Sequence, residues 1–433
     1  LEEILSRASR VAEDAEVFMV SSVETPVAFE TNRLKHIQTK QSKTVALRIV
    51  KDGRIGYATS TRVDDIESLV ANAVATAEFG TTAHFALPSS TSYPHIKVFD
   101  PDVQKETTEQ MAQLGQRMID SLIKHTPELT CEAMVTRIIA DVSIINSRGG
   151  RASYKQSAFS TFIEGQLIRD TDMLFVGEHW SSCHPLSEPR GIIEEVLRQL
   201  EWAREQASVP TKSLPVIFTP HGVASAFAGP MVAAFSGKTV LDGASPIGNK
   251  LGKMVFDKRL SLRDDPTIDY RPASGPCDDE AVPNEATPLV TEGTVSNFYY
   301  DLQTAALAKT RSTGNGHRSQ GGQPSPSPSA FIVSPGDTTF DDMVHDIKEG
   351  LVVEQLMGAT QGNILGGDFS GNVLLGYKVE GGQIVGRVKD TMVAGNIYEL
   401  LKQVAAIGSD ARWVGSFLST PSIYCPAVSV ASK

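Results

Sequence analysis

Val45-Ala46-Leu47-Arg48-Ile49-Val50-Lys51-Asp52-Gly53-Arg54-Ile55-Gly56-Tyr57-Ala58-Thr59 reads as two strands closed by a two-residue turn. Asp52 and Gly53 both tolerate positive φ, which a tight hairpin needs at its two central positions. Upstream, Leu1, Ile4, Leu5, Ala8, Val11 and Ala12 recur at helical spacing, and residues 16–23 and 27–38 read as strands. Downstream, Thr61 with Asp64 can cap a helix whose apolar positions are Ile66, Leu69, Val70, Ala73, Val74 and Ala77. Residues 1–80 therefore read as one unit: helix, four strands, helix.

Residues 80–101 lack a period and read as a linker. A helix over 105–124 turns Met111, Leu114, Met118 and Leu122 inward, and 130–182 is strand-rich with a turn at Arg148-Gly149-Gly150. A further helix over 190–207 ends at Ser208-Val209-Pro210, which closes a middle unit of residues 102–208. The third unit, 211–433, opens with a strand over 214–218. Thr219 follows as N-cap, with Pro220 at the first helical position, where its missing N–H costs nothing. A helix over 220–235 of small and apolar residues should be buried. The remainder is β-rich, with a hairpin at Glu380-Gly381-Gly382, a short helix near 396–405 and a mobile surface loop over 320–329. Strands and helices in blocks, without strict alternation, indicate an α+β fold. Smaller N-terminal α/β units precede a larger, mainly antiparallel β-rich C-terminal domain.

The bulk properties exclude several functions. A net charge of -11 repels phosphate backbones, no Lys/Arg cluster stands out, and direct nucleic-acid binding is not expected. No apolar run approaches the roughly 20 residues that span a bilayer, and Leu1-Glu2-Glu3 carries no signal-peptide pattern, so no membrane association is expected. Cys131, Cys183, Cys277 and Cys425 show neither metal nor redox spacing. Four reduced thiols in a cytoplasmic protein is the plain reading.

Five stretches, in order along the chain, resemble the TldD/PmbA family. They are residues 46–56 with Thr59, Asn146-Ser147-Arg148-Gly149, residues 310–316 (TRSTGNG) after Tyr299-Tyr300-Asp301, Gly367-Asp368-Phe369-Ser370-Gly371, and Val393-Ala394-Gly395-Asn396-Ile397. The resemblance implies a system for peptide cleavage in which a zinc-bearing TldD-like subunit pairs with a PmbA-like one. The peptidase branch carries His-Glu-x-x-x-His on a helix plus a Cys near the C-terminus. Neutral imidazoles and a thiolate hold Zn²⁺ with one position open, and the glutamate takes a proton from the metal-bound water.

The matching helix here begins Pro220-His221-Gly222-Val223-Ala224-Ser225. In one register Pro220 and Ser225 stand at the two histidine positions and His221 at the glutamate. In the other, His221 is the first histidine, Gly222 replaces the glutamate and Ala226 the second histidine. Leu418, in Gly415-Ser416-Phe417-Leu418, stands where the cysteine would be, and Cys425 lies seven residues on. One imidazole does not make a zinc site. The resemblance thus implies the PmbA (TldE-like) branch, with no cofactor in this chain and zinc in the TldD-like partner.

Other motifs compete. In Glu178-His179-Trp180-Ser181-Ser182-Cys183-His184, a strand would put His179 and Cys183 on one face about 13 Å apart, too far for one ion. Ser236-Gly237-Lys238-Thr239 mimics the end of a phosphate loop, but Val232 stands where the earlier glycine should be. Tyr299 and Tyr300 could grip peptide side chains, with Asn315 beside them, or could pack in the core.

The expected function is that of a non-metal partner in a TldD-type zinc metallopeptidase, binding unfolded or extended peptide, inactive alone and a homodimer when isolated. The alternatives are a self-sufficient metallopeptidase with atypical ligands around His221 and a non-proteolytic regulator acting indirectly on DNA gyrase.

Overall fold

The computed structural model describes residues 1–432 apart from 90, 171, 320 and 321. Its first half is built on a seven-stranded antiparallel sheet. The strands are β1 (Asp14–Glu30), β2 (Arg33–Ile37), β3 (Lys40–Lys51), β4 (Arg54–Ser60), β5 (Thr130–Asn146), β6 (Arg151–Arg169) and β7 (Asp172–Ser182). Their order is β4-β3-β1-β5-β6-β7, with β2 also on β1. Strands from residues 1–80 and 102–208 thus share one sheet, joined where β1 meets β5.

The Asp52-Gly53 turn forms as the sequence requires, with φ of 51° and 71°. Residues 16–23 and 27–30 are one strand instead of two, and it runs through Pro26. The proline is tolerated because Thr25 and Pro26 lie opposite the gap between β2 and β3, where a missing N–H breaks no ladder bond.

Helices α1 (Glu2–Ala8), α2 (Ile66–Ala77), α3 (Pro101–Lys105), α4 (Thr108–His125) and α5 (Arg190–Trp202) flank this sheet. In α4, Thr107 and Gln110 form a reciprocal capping box, and Met111, Leu114, Met118 and Leu122 are buried as their spacing predicts. The cap of α2 is Asp65, which accepts from the Ser68 N–H, instead of Thr61 with Asp64; the helix begins at Ile66, four residues later than a Thr61 cap would start it. The fifth helix stops at Trp202, because Gln206–Ala207 leave it to pair with Arg387 and Val388.

The second half is β-rich and mostly antiparallel. Strands Lys212–Phe218, Ile423–Ser432, Thr391–Asn396, Asp368–Glu380 and Glu349–Met357 follow one another, and the last pairs with the first, closing a ring. A hairpin at Gly381 and Gly382 (φ 57° and 78°) adds strand Gln383–Val388. Beside the ring lies a six-stranded sheet that includes Phe331–Val333, Leu418–Thr420 and Arg412–Val414. Within the expected loop 320–329, Gln320 and Gly321 lie outside the described residues. The rest is partly built in: Ser325–Pro326 pairs with Gly316–His317, and buried Ser329 donates its N–H to Asp264.

The halves share a core in which Met111, Val135 and Ile163 pack with Ile217, Val352 and Tyr377. They are also joined by a sealed charge cluster. Arg48 bonds Glu16 at 3.0 Å and Glu280 at 2.5 Å, and Arg318 pairs with the other oxygen of Glu16.

Candidate functional site

The strand Lys212–Phe218 delivers the chain to Thr219, whose hydroxyl accepts from the Gly222 N–H and donates to Glu354 at 2.6 Å. Pro220 follows at the first helical position. Gly222 is required for closeness: a Cβ there would meet the Val353 carbonyl at 2.3 Å. The helix is α-helical over Pro220–Val223 and Gly229–Phe235 but widens to a π-helical turn over Ala224–Ala228. At about 100° per residue, positions five apart on an α-helix diverge by about 140°. A π turn reduces that divergence, and such turns concentrate at functional sites.

The donor atoms have gone from this frame. Pro220 is buried and carries none. The Ser225 hydroxyl donates to the Gly222 carbonyl at 3.0 Å. Leu418 lies beside the helix, where with Val223, Phe227 and Phe331 it lines an apolar void of only about 20 Å³. Cys425 is fully buried in a strand, where burial pushes its thiol up to about 12.

His221 is committed elsewhere. Its Nε2 lies 3.1 and 3.2 Å from the two carboxylate oxygens of Glu178 on β7. Arg412 reaches the same carboxylate at 3.1 Å and Glu195 at 3.2 Å. Arg198 pairs with Glu195 and, at 3.0 Å, with Glu354. An alternating row of acids and bases therefore runs from the helix to α5. Burial alone would raise Glu178, but the His221 hydrogen bond and the charges of His221 and Arg412 bring it below the usual carboxylate value. Glu195 likewise falls to about 2, because Arg412 and Arg198 overcome its burial. Burial lowers His179, whose Nδ1 has no partner.

This row borders a cleft of about 390 Å³ lined by Phe162, Phe175, His179, His221, Gln355 and Val414. His179 and Cys183 do not converge on an ion: His179 faces the cleft, whereas Cys183 is sealed and its N–H donates to the Tyr270 carbonyl.

Tyr299, Tyr300 and Asn315 form no groove. They are 1%, 7% and 1% exposed. Tyr299 donates to the Val232 carbonyl, the Tyr300 ring packs where a Cβ on Gly237 would stand, and Asn315 is held by Asp264, Thr313 and Ser327. Of the two sequence readings, packing describes them.

A zinc ion does not fit this donor set. Pro220 and Leu418 offer no lone pair, Ser225 bonds the main chain, and His221 is held by a carboxylate that Arg412 neutralises. Among the described residues, no group of three or more His, Cys, Asp or Glu is disposed to hold a metal ion. Sequence reasoning missed Glu178, Glu195, Glu354 and Arg412 as neighbours of His221. Their spacing is non-local, and only the adjacency of Glu178 to His179 drew notice.

The model of the PmbA/TldA metallopeptidase C-terminal domain matches residues 211–432, and that of domain 1 matches residues 15–77. The chain belongs to the PmbA/TldD family. It is 25% identical over 429 residues, 98% of each chain, to an uncharacterised protein of Methanocaldococcus jannaschii. It is 27% identical to the metalloprotease PmbA of Escherichia coli O157:H7 over 224 residues, 52% of this chain and 47% of that protein. A match to a metalloprotease of Methanothermobacter thermautotrophicus, 32% identical, spans 40% of this chain and 38% of that protein. Among solved structures, TldE from Thermococcus kodakarensis superposes with a TM-score of 0.90 at 21% identity, covering 100% of this chain and 99% of the other. At that identity the likeness shows the fold. Family membership makes the chain metallopeptidase-like, and its own helix lacks the ligands. Among the described residues no helix is long and apolar enough to cross a membrane.

Proposed function

We propose that this chain is the non-metal subunit of a TldD-type zinc peptidase, working in the cytoplasm and pairing with a TldD-like catalytic subunit. The observation that carries this reading is the Glu178–His221 ion pair beside a helix whose other ligand positions are Pro220, Ser225 and Leu418. The Nε2 of His221 is occupied by the Glu178 carboxylate, and one imidazole could not retain zinc. The π turn over Ala224–Ala228 and the adjacent cleft support a helix that has the shape of a peptide site without its chemistry. The TldE name of the Thermococcus kodakarensis protein agrees with this branch.

In this role the chain binds an extended or unfolded peptide and, by excluding bulk solvent, holds it in place for hydrolysis at the partner's zinc site. Its own residues bind and orient; none moves a proton to the scissile bond. In isolation the chain forms a homodimer through the surface it would otherwise offer its partner.

The test is peptide cleavage by this chain, by a TldD-like subunit, and by their mixture. Activity that depends on the partner's zinc and rises on mixing is expected. Cleavage by this chain alone, lost on His221→Ala, would overturn the reading.

A further inference from the structure

The seven-stranded sheet has two terminal edges, and both are closed by side chains. On β7, the buried Gln199 amide accepts from the Gly177 N–H at 2.8 Å and donates to the Gly177 carbonyl at 3.1 Å. On β4, the Thr76 hydroxyl does the same for Tyr57, at 2.8 Å for each bond. Each clamp occupies the main-chain groups that an added strand would need.

A third edge is left open. Strand β4 covers β3 only from Val45 to Lys51. The outer side of β2 and of Lys40–Thr44 has no partner strand among the described residues. All five residues of β2 are exposed, as are Lys40, Gln41, Ser42 and Lys43. This edge carries Arg33, Lys35, His36, Lys40 and Lys43, and residues 31–51 contain no Asp or Glu. Lys35 reaches Glu30 at 3.2 Å, whereas Arg33, Lys40 and Lys43 have no ion pair among the described residues. In a chain of net charge -11 this is a local reversal of sign. No Lys/Arg cluster stands out in the sequence, but these cations, all within residues 33–43, line up along one exposed edge.

We propose that this open edge docks an acidic extended peptide by strand addition. Main-chain bonds would supply affinity, and the cations would select sequence while repelling a second copy of the edge itself. The exposed Leu34 and Ile37 give such a peptide apolar contacts between its acids. His36, Ala28, Met134, Phe162 and His179 form one cross-strand row, so the edge stands three strand spacings, about 14 Å, from Phe162 at the cleft and about 19 Å from His179. The inference deepens the peptide-binding reading by naming the peptide's chemistry, and it needs no partner to be tested.

Fluorescence anisotropy of the full chain with a labelled peptide of about ten residues alternating Glu and Val is the experiment. Saturable binding that weakens with salt, and by at least about tenfold in Lys40→Glu/Lys43→Glu, is expected. The same peptide with prolines in place of alternate valines should not bind, because proline removes the N–H groups that strand addition uses. Equal binding of a Lys/Val peptide, undiminished binding of the proline peptide, or binding of single-stranded DNA in place of the acidic peptide would each overturn the proposal. Cleavage by the mixed subunits is a separate measurement, so failure here leaves the subunit reading standing.

Discussion

Two alternating rows of acids and bases tie this molecule together, and they differ in how far water reaches them. At the seam, the side chains of Glu16, Arg318 and Glu280 are 0% exposed and that of Arg48 is 2%. Beside the cleft, Arg198 and Arg412 keep 30% and 31%. The same residue types then behave oppositely. At the seam, burial outweighs the pull of Arg48, and the nearby Asp301 and Glu16 add to it, so Glu280 is pushed up to about 7. Beside the cleft, two arginines outweigh burial and Glu195 drops to about 2. A sealed cluster can only hold the fold together. A cluster that stays partly wet can exchange partners with a ligand.

Glu16→Ala should separate the two most sharply. It leaves Arg48 and Arg318 buried without their shared carboxylate, and stability should fall by about 3–5 kcal/mol in denaturant unfolding. An unchanged midpoint would mean that the seam does not join the halves. Leu418→Ala provides an uncharged yardstick in the core, with an expected loss of about 2–5 kcal/mol. A much smaller loss would show that this position is not packed as described.

The pH dependence should carry opposite signs. Glu280 in the folded chain sits at about 7, above its ordinary 4.5. Its contribution is therefore complete below 4.5 and disappears as pH rises toward 7. Glu195 sits below 4.5, so its contribution is present above that pH and is lost as pH falls toward 2. Unfolding free energy measured against pH should lose the first slope in Glu280→Gln and keep the second. Loss of both slopes, or of neither, would break the comparison.

The smallest effect belongs to the wetter row. Arg412→Ala releases Glu178 and Glu195, and partial exposure limits the cost to about 1–2 kcal/mol. The Glu178 carboxyl should then titrate higher, visible by NMR of a carboxyl-labelled chain, and peptide cleavage by the mixed subunits should weaken more than folding does.

The α+β class, the Asp52-Gly53 hairpin, the cap at Thr219 and the inward face of α4 were all legible in the sequence. Each depends on residues within a turn or two of one another. That Pro220, Ser225 and Leu418 stand where the resemblance implies ligands was legible for the same reason, since donor type belongs to the single residue. Gln199 over Gly177, Thr76 over Tyr57 and Glu178 against His221 left no such trace.

By itself, then, the sequence determined local conformation and the donor types along the helix that begins at Pro220, because backbone preference and donor type are properties of single residues. Only the tertiary structure decided which charges are sealed, which strand edge stays open and where His221 is spent. Those outcomes depend on what lies across a sheet or a seam, at separations such as the 43 residues between Glu178 and His221, which no local pattern encodes.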